Sequence, residues 1–486
     1  MPAETTSNYQ GTVLQVAVPS PLRRVFDYLP LTNKQALAGT RVKVSFGRQQ
    51  LIGIVVSVAS GLSLEKQKLK PILAALDSEP LLDDSLFQLL IWASNYYQHP
   101  VGEVFATALP SKLRNGVALR DSTRVWTGTE PSPQQGALLG RAAKQKALLD
   151  FIRAEKEVTD HEVRQAGFSS QLLKQLELKQ LVTQKSRAGA AETAFEPASK
   201  VTNFEIELSA EQLSSVTEIS EALDSYSCFR LDGITGYGKT EVYMRVMQEQ
   251  LAKGLQCLVL VPEIGLTPQT ISRFQRRFSC KVASLHSGLN ETERLTAWKQ
   301  ARDGSAGIVI GTRSAVFTPL ANPGLIVIDE EHDSSFKQQD GFRYSARDLA
   351  VIRAREENIC IILGSATPSL ESLHNARNKK FVHLQLTQRA GSKQNCEMEI
   401  IDVANETLQE GFSEQLLFRI RKHIEQKNQV LVFINRRGFA PILNCQTCGW
   451  ICECENCVTQ FTVHANPHSI RCQHCGAAAR LHSACP

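Results

Sequence analysis

A glycine-rich segment between an apolar run and an amphipathic helical pattern constrains the fold of this 486-residue chain more than any other feature. Residues 233–240 fit the pattern G-x-x-x-x-G-K-[ST], and a helical pattern over 241–253 follows at once. In such a loop the glycines let backbone N–H groups surround a phosphate, and the helix N-terminus favours negative charge. The segment therefore predicts a nucleotide-binding loop at the carboxyl end of a parallel strand.

Every residue of this loop is a candidate for nucleotide contact: Gly233, Ile234, Thr235, Gly236, Tyr237, Gly238, Lys239 and Thr240. We expect Lys239 to reach the terminal phosphates and Thr240 to ligate Mg²⁺. Tyr237 stands at a position that is usually small in such loops. Its ring therefore either points away from the nucleotide or alters the pocket.

Short apolar runs predict the sheet that carries this loop. Four of them, 257–261, 307–310, 325–328 and 359–363, are continuous rather than alternating. Continuous runs of branched apolar side chains are typical of parallel strands buried on both faces of an α/β sheet. A similar run at 430–434 is expected to start a second sheet. The predicted fold class is α/β, divided into several domains.

Three acidic residues follow the run at 325–328 directly, and the first two are the candidate pair. Asp329, at the carboxyl end of the expected strand, can hold the Mg²⁺ shell, and Glu330 can orient or deprotonate an attacking water. An apolar strand followed by acids is a weak signal alone, but here it comes about 90 residues after the nucleotide loop. We therefore predict Lys239, Asp329 and Glu330 as the catalytic residues.

The cysteines are concentrated at the end of the sequence, with eight of the 13 between Cys445 and Cys485. Six of them form three C-x2-C pairs: Cys445 with Cys448, Cys454 with Cys457, and Cys472 with Cys475. This spacing places two thiolates on one tetrahedral ion. The opening residues show no secretory signal, so we expect a reducing, cytoplasmic compartment and Zn²⁺ ligation rather than disulfides.

Composition excludes several classes of protein. The chain has 54 Lys and Arg against 49 Asp and Glu, a net charge of +5, which permits a nucleic-acid partner without arguing for one. No apolar run approaches the ~18 residues of a membrane helix, so no membrane partner is expected. Hydrophobic residues at 42% and charged residues at 21% are ordinary for a globular chain.

Two smaller domains are predicted before the nucleotide loop. Residues 1–115 show strand patterns at 13–19, 41–46 and 52–58 and a helical pattern at 84–97, which indicates a small β-rich domain. Residues 138–186 show three short helical patterns followed by a strand, as a winged helix does, although any small helical bundle gives the same pattern. Linkers are expected at 127–136 and 185–200.

Several motifs carry a resemblance to a known family. Residues 329–332, Asp-Glu-Glu-His, together with Gly-Ser-Ala-Thr-Pro at 364–368, resemble motifs II and III of superfamily 2 helicases. Five further stretches make the likeness specific: 261–269, 285–290, 311–314, 336–344 and 435–439. With these, the chain resembles the PriA family of bacterial replication-restart helicases throughout its length.

The resemblance implies roles for residues that the patterns alone leave unassigned. ATP becomes the expected nucleotide, and Gln212 is implied to read its adenine. Thr312 and Arg313 resemble a motif that touches the DNA backbone. The segment 336–344 is similar to an aromatic-rich loop in which Lys337, Phe342, Arg343 and Tyr344 would contact single-stranded DNA.

The N-terminal domain is implied to bind the 3′ end of a DNA strand. The residues at the matching positions are Phe26, Asp27, Gly47 and Lys70. A carboxylate such as Asp27 can accept a hydrogen bond from a terminal 3′-hydroxyl, which an internal nucleotide lacks. Gly47 would allow close approach of the backbone.

The family also implies how the cysteines are shared between two Zn²⁺ ions. The second C-x2-C pair joins the third, which gives one complete site of Cys454, Cys457, Cys472 and Cys475. The first pair joins a fourth, of which this sequence contains Cys485 alone, so Cys445, Cys448 and Cys485 are one ligand short. Four nearby histidines are candidate substitutes for the missing ligand, although exposed loop histidines are the simpler interpretation: His464, His468, His474 and His482.

The expected organisation follows from these observations. It comprises a 3′-end DNA-binding domain (1–115), a winged-helix-like domain (138–186), a RecA-like lobe (203–390), the start of a second RecA-like lobe (391–442) and a zinc-binding insertion (443–486). The second lobe is expected to be incomplete, since no Gln-x-x-Gly-Arg-like motif is present. Little ATP turnover is then expected from these residues alone, because the arginine that crosses the cleft would be missing.

The resemblance implies an ATP-dependent 3′-to-5′ DNA helicase that recognises stalled or branched replication forks and initiates primosome assembly. Its partners would be branched and single-stranded DNA, primosome proteins and single-strand-binding protein. Two alternatives remain open. One is another superfamily 2 DNA translocase, and the other is a DNA-binding assembly scaffold with a vestigial ATP site.

Overall fold

The computed structural model of the chain describes residues 8–31, 36–65, 69–119, 122–129, 142–188, 194–196, 207–234, 238–387, 398–403, 406, 408–409, 411–433, 440, 442–445, 447–457, 459–465 and 468–484. The chain divides into two compact units, Met1–Lys393 and Gln394–Pro486. No helix among the described residues is long and apolar enough to cross a membrane.

The first unit begins with a six-stranded sheet. Its strands are β1 (Asn8–Ala17), β2 (Phe26–Leu29), β3 (Arg41–Phe46), β4 (Gln49–Glu65), β5 (Lys70–Pro71) and β6 (Ala74–Ala75), in the order β5-β2-β1-β4-β3-β6. The alternating apolar residues of β1 and β3 bury one face, where Val16, Val42 and Val44 are fully enclosed. The β-rich character predicted for this region is confirmed.

Three helices follow this sheet and join it to the rest of the unit. They are α1 (Asp84–Tyr96), α2 (Val101–Ala108) and α3 (Ser111–Arg114). The Asp83 side chain caps α1 by accepting a hydrogen bond from the Leu86 N–H at 2.8 Å. Gly102 in α2 lies so close to the backbone of Val18 that a Cβ at this position would be 1.9 Å from its carbonyl oxygen. Glycine is therefore required for the helix to pack on the sheet.

A small helical domain comes next in the chain. Its elements are β7 (Ser122–Gly128), α4 (Ala143–Glu155), β8 (Val158–Thr159), α5 (Asp160–Gln165), α6 (Ser170–Leu178) and β9 (Val182–Ala188). The strands form an antiparallel sheet in the order β8-β7-β9. The pairing of β7 with β9 brings 122–128 into this domain, so the expectation of a domain starting at 138 and a linker starting at 127 is corrected. A strand separated from its partner by three helices leaves no local signal.

The largest part of the first unit is a seven-stranded parallel sheet. Its strands are β10 (Cys228–Gly233), β11 (Gln256–Leu260), β12 (Val282–Leu285), β13 (Ile308–Gly311), β14 (Pro323–Ile328), β15 (Cys360–Ser365) and β16 (Val382–Leu386), in the order β12-β13-β11-β14-β15-β10-β16. The four strands predicted from continuous apolar runs are confirmed, and all four are buried along their length.

Helices accompany this sheet. They are α7 (Ala210–Glu221), α8 (Lys239–Ala252), α9 (Pro268–Arg277), α10 (Glu291–Arg302), α11 (Ala346–Glu356) and α12 (Leu370–Arg377). Shorter 3-10 turns occupy Glu263–Gly265, Arg313–Phe317 and Ser334–Phe336. Two hydrophobic clusters divide the sheet's core between its faces, and one of them continues into the N-terminal helices through Leu86 and Phe105. The sheet and the N-terminal domain thus share apolar packing.

The second unit contains one long helix and a small antiparallel sheet. The helix is α13 (Glu414–Glu425), and the sheet consists of β17 (Phe461–Ala465), β18 (His468–Cys472) and β19 (Ala478–Arg480). The strand expected at 430–434 is not formed over its described residues 430–433, where Leu431 is 95% exposed. No neighbouring strand among the described residues pairs with this run, so its backbone lacks the partners that a strand needs.

Candidate nucleotide, nucleic-acid and metal sites

Three adjacent strands bring the predicted nucleotide residues to one edge of the parallel sheet. The order β14-β15-β10 places the residues after Ile328, Ser365 and Gly233 side by side, because the carboxyl ends of parallel strands meet at the same edge. Gly238 adopts φ 83°, and α8 starts at the next residue. Residues 235–237, including the unusual Tyr237, lie outside the described residues.

Lys239 is held at the centre of this edge. Its side chain is 7% exposed, and its Nζ donates a hydrogen bond to the Gly233 carbonyl at 2.6 Å. The same Nζ lies 3.6 Å from Glu330 Oε1. The ammonium group is thus placed between the loop and the acidic pair, where it can meet a terminal phosphate.

Asp329 lies beside this lysine and is fixed by two hydrogen bonds. Its Oδ1 accepts from the Tyr243 hydroxyl at 3.3 Å and from the Glu330 N–H at 3.2 Å. Burial, and then the charge of Glu330, raise the pKa of Asp329, while Lys239 opposes the shift. A divalent cation at this edge would favour the ionised carboxylate, which is the form that ligates Mg²⁺.

Tyr243 is a site residue that the sequence patterns did not reveal. Its hydroxyl occupies the space beside Gly364, where a Cβ would lie 1.5 Å from the hydroxyl oxygen. Burial, and then the charges of Asp329 and Glu330, raise the pKa of Tyr243 well above its ordinary value, so the phenol keeps its proton and donates. A tyrosine one turn into α8 has no local signal for this role; the glycine that admits it comes more than 100 residues later.

Glu330 has an unusual backbone conformation. Its φ is 47°, a left-handed value that is rare for a residue other than glycine. Its Oε2 accepts a hydrogen bond from the Ala366 N–H at 3.4 Å and lies 3.7 Å from His332 Nδ1. Strain of this kind is found where a side chain is held in a functional position.

His332 links the acidic pair to the end of β15. Its Nδ1 shares a hydrogen bond with Ser365 Oγ at 2.7 Å. Ser365 Oγ in turn accepts from the Thr367 N–H at 3.0 Å. The segments after β14 and β15 are therefore connected by side chains.

Glu331, between these residues, has a structural role. It is 1% exposed and accepts hydrogen bonds from the Ser369 N–H at 2.9 Å and from Arg347 Nη1 at 3.2 Å. Ser369 is the N-cap of α12. Glu331 therefore fixes the start of this helix.

Gln212, the residue implied to read adenine, lies against the nucleotide loop. Its Oε1 accepts a hydrogen bond from the Ser209 N–H at 2.9 Å in the capping box of α7. A Cβ at Gly238 would lie 2.0 Å from Gln212 Nε2, so the amide contacts the loop backbone. The structure brings Gln212 to the loop and orients it through the helix cap.

A cleft of about 680 Å³ opens at the same sheet edge. Its lining includes Thr240, Asp329, Glu330, His332 and Arg273. This volume is within the range of small-molecule sites. The basic side chain of this lining can attract phosphate, and its carboxylates can hold a divalent cation and orient an attacking water.

The predicted DNA-backbone residues Thr312 and Arg313 follow β13. The Thr312 N–H donates to the Leu285 carbonyl at 3.1 Å, and its side chain is buried. Arg313 Nη1 donates to the carbonyls of Ser335 at 2.9 Å and Lys337 at 3.1 Å. Arg313 therefore braces the segment that follows the acidic pair.

The rings expected to stack on DNA bases are buried. Phe342 is 4% exposed and Tyr344 is 2% exposed; their centroids are 5.0 Å apart, and Tyr344 lies 4.8 Å from the ring of Phe317. The expectation that Phe342 and Tyr344 present stacking surfaces is thus corrected: Tyr344 packs against Phe317 of the lobe, and Phe342 also packs against Tyr97 of the N-terminal helices. The basic residues differ, since Lys337 and Arg343 are exposed.

The four residues expected at a DNA 3′ end lie around β2 of the N-terminal sheet. The ring of Phe26 meets Phe46 edge-on at 4.9 Å, and Tyr28 pairs with Lys70 in the sheet. Asp27 Oδ1 is buried and has no hydrogen-bond partner among the described residues. Gly47 adopts φ 58° with open space at its Cβ position. A buried acceptor without a partner is costly unless a ligand supplies the donor.

Four of the predicted zinc ligands converge in the second unit. The Sγ atoms of Cys454, Cys457, Cys472 and Cys475 all lie within 4.8 Å of one another. Cys454 and Cys475 are 3.5 Å apart and Cys457 and Cys472 are 3.3 Å apart, measured between sulfurs. A four-thiolate set with these separations fits tetrahedral Zn²⁺ with bonds of ~2.3 Å.

Thr459 supports this cluster. Its Oγ1 lies 3.0 Å from the sulfurs of Cys457 and Cys472. Hydrogen bonding, first from Thr459, lowers the pKa of Cys472 to about 5. The thiolate is the form that binds metal, so Thr459 prepares a ligand.

The structure describes two of the three cysteines expected at the second zinc site. Cys445 and Cys448 are described but do not belong to the four-cysteine cluster, and Cys485 lies outside the described residues. Cys452, which is out of register with the pairs, is 2% exposed and packs in the core of the small sheet.

Comparison with known proteins adds two family models and several relatives. A model described as the 3′DNA-binding domain (3′BD) of PriA matches residues 15–110, and a DEAD/DEAH box helicase model matches residues 210–376. The replication restart protein PriA of Haemophilus influenzae is 41% identical over 97% of this chain. The chain belongs to the PriA family. The corresponding protein of Chlamydia pneumoniae is 33% identical, again over 97% of this chain.

The extent of the match is limited on the relatives' side. The chain spans 65% of the length of the Haemophilus PriA protein and 64% of the Chlamydia PriA protein. Among solved structures, RecG bound to a three-way DNA junction is 24% identical, with a TM-score of 0.32, over 39% of this chain and 25% of that chain. The family assignment therefore rests on sequence and on the two family models.

Proposed function

We propose that the chain is the motor and DNA-binding part of an ATP-dependent DNA helicase that acts in replication restart. The observation that carries this proposal is the convergence of Lys239, Asp329 and Glu330 at one sheet edge, in a chain of the PriA family. The PriA relatives are named replication restart proteins, and the matched 3′ DNA-binding domain supports DNA as the partner.

In this proposal Lys239 holds the terminal phosphates of ATP, and Gln212 contacts the adenine. Mg²⁺, ligated by Thr240 and Asp329, would supply charge neutralisation on the phosphates. Glu330 orients or deprotonates the water that attacks the γ-phosphate. Its strained backbone and its contacts to Ala366 and His332 keep the carboxylate at this position.

Asp27 supports recognition of a free 3′ end. Its Oδ1, which has no partner among the described residues, could accept a hydrogen bond from a 3′-hydroxyl. The 3′-to-5′ direction, recognition of branched forks, the assembly of primosome proteins and contact with single-strand-binding protein follow from the family alone. The four-cysteine cluster would hold one structural Zn²⁺.

The test compares the lysine that starts α8 with the lysine that directly follows its last residue. Lys239→Ala should abolish ATP binding, while forked-DNA binding is retained. Lys253→Ala, at the other end of α8 in an exposed pair with Asp224, is the matched control and should behave as the parent. ATP binding that survives Lys239→Ala would overturn the proposed role of this lysine. A parent chain that binds forked DNA but never ATP would instead favour an assembly scaffold.

A further inference from the structure

A hollow of about 310 Å³ lies where the N-terminal helices meet the parallel-sheet lobe. One wall is formed by the end of α2 and by α3, including Leu109 and Arg114. The other wall carries His286, Arg294 and Trp298. None of the nucleotide-site residues named above lines this hollow, so it is a separate feature of the molecule.

The hollow continues in two directions. Arg294 also lines a neighbouring hollow with Thr312 and Arg313, and Thr107 and Ser314 are shared between the two. Towards the N-terminal sheet, Arg114 also lines a third hollow, where Lys43 lies. The three hollows share lining residues and together form one groove between the N-terminal helices and the parallel-sheet lobe. We call this groove the junction trough. The lining residues that define it are Lys43, Thr107, Arg114, His286, Arg294, Trp298 and Ser314.

The charge of this trough is positive. No carboxylate is among the described residues that line the central hollow or the one on the N-terminal sheet. Arg41 also lines the latter, but its guanidinium is neutralised by Asp77 at 2.7 Å. Lys43 and Arg114 make no ion pair among the described residues, so their charges face the trough uncompensated. Glu263 and Asp340 line the hollow that contains Thr312 and Arg313, so the positively charged part of the trough ends there.

Two side chains of the trough have N–H groups that donate no hydrogen bond among the described residues. Trp298 is 2% exposed, and its buried Nε1–H has no hydrogen-bond partner among the described residues. Arg294 uses Nη2 to donate to the His286 carbonyl at 2.9 Å, which fixes the guanidinium and leaves its other N–H groups available. An oriented cation beside an unsatisfied buried donor is an arrangement that fits an anionic oxygen.

We infer that the junction trough holds the phosphodiester backbone of a single DNA strand as it passes between the parallel-sheet lobe and the N-terminal domain, with Arg114 and Arg294 on consecutive parts of the backbone. DNA is favoured over an acidic peptide because the trough is continuous with Thr312–Arg313 at one end and with the matched 3′ DNA-binding domain at the other. The inference rests on the proposed function, since it presumes that the protein binds DNA.

The experiment measures the salt dependence of binding to a fluorescent single-stranded oligonucleotide, with a 3′ end, by the whole chain. Each phosphate contact on a single strand contributes a slope of about 0.7 in log K against log salt. Arg114→Gln/Arg294→Gln should therefore lower the slope by about 1.4. Between 50 and 200 mM salt the parent should lose roughly sevenfold more affinity than the double variant.

Arg355→Gln is the matched control. Arg355 is exposed and pairs with Glu356 at 3.0 Å, near the amino end of β15 and thus at the opposite sheet edge from Thr312. This variant should keep the parent slope. A double variant with the parent slope and a parent melting temperature would overturn the trough and leave the proposed function standing. A parent that binds no DNA would overturn both.

If the double variant does not fold, Arg114→Gln alone decides the question, because Arg114 is exposed and makes no ion pair among the described residues that its loss would break. It should lower the slope by about 0.7. An unchanged slope in this folded variant contradicts the inference.

Discussion

The Tyr243 hydroxyl donates a hydrogen bond to Asp329 Oδ1 at 3.3 Å, and it can do so only because residue 364 has no side chain. The nucleotide helix, the acidic pair and the strand after it are thereby fitted together at one point. We therefore expect a substitution at Tyr243, Asp329 or Gly364 to disturb the packing of the other two residues.

Gly364→Ala tests this packing. The new Cβ would lie 1.5 Å from the Tyr243 hydroxyl oxygen and 2.6 Å from Cζ, so the ring must move. We expect a loss of about 1–3 kcal/mol in the free energy of unfolding, together with weaker Mg²⁺-dependent ATP binding. Chemical denaturation and nucleotide titration measure the two effects. Gly265→Ala, whose Cβ would meet Pro262 Cδ at an ordinary 3.4 Å, should be nearly neutral for stability.

Tyr243→Phe should change the pH dependence of nucleotide binding. The hydrogen bond from Tyr243 lowers the pKa of Asp329, which burial and then Glu330 raise, so its removal raises that pKa further. Because a raised carboxyl pKa means protonation at higher pH, Mg²⁺–ATP binding should weaken at a higher pH than in the parent as pH falls. ATP affinity measured from pH 8 down to pH 5 is the readout.

The free energy of unfolding should depend on pH in the opposite direction to Mg²⁺–ATP binding. Ionised Asp329 opposes folding above its raised folded-state pKa, and this cost is relieved as pH falls through that value.

The control for the binding prediction is Tyr226→Phe. Tyr226 is a half-buried tyrosine far from Asp329 along the chain, and this variant should leave the pH profile of nucleotide binding unchanged. Superimposable profiles for the parent and Tyr243→Phe would mean that the hydroxyl does not act on Asp329.

Cys472→Ser should remove one tightly bound Zn²⁺ per chain. The four sulfurs within 4.8 Å provide a complete tetrahedral set, and three thiolates hold the ion less well. Thr459→Val should weaken the site by about 10–100-fold without emptying it, since the hydroxyl supports two ligands. Metal analysis after dialysis against a chelator separates these cases. Cys452→Ala should retain the ion; its loss there would place Cys452 among the ligands.

Asp27→Ala should abolish discrimination between DNA ends. The parent is expected to bind an oligonucleotide with a 3′-hydroxyl more tightly than one with a 3′-phosphate, because a hydrogen bond to a carboxylate is worth about 1.5–3 kcal/mol. The variant should bind both ends equally. Asp84→Asn, an exposed change in the first turn of α1, should keep the preference. Equal binding of both ends by the parent would show that Asp27 has another role.

The features predicted from sequence were those encoded over short distances. The nucleotide loop, four parallel strands and three C-x2-C pairs are local patterns, and the structure contains the strands and brings two of the cysteine pairs together. The Tyr243–Gly364 fit, the burial of Phe342 and the pairing of β7 with β9 depend on residues far apart in the chain. A single sequence does not reveal such long-range contacts, because the contacting residues are not separated by any regular interval.

Phe342 packs against Tyr97 of the N-terminal domain with ring centroids 5.7 Å apart, and the Tyr97 hydroxyl accepts a hydrogen bond from the Ser345 N–H at 3.1 Å. Arg302 completes the attachment by donating to the Leu81 and Pro80 carbonyls. The two domains are therefore not interchangeable modules. An isolated lobe would carry an uncovered aromatic surface next to its acidic pair, and evolution could not exchange the N-terminal domain without rebuilding the loop that follows Asp329.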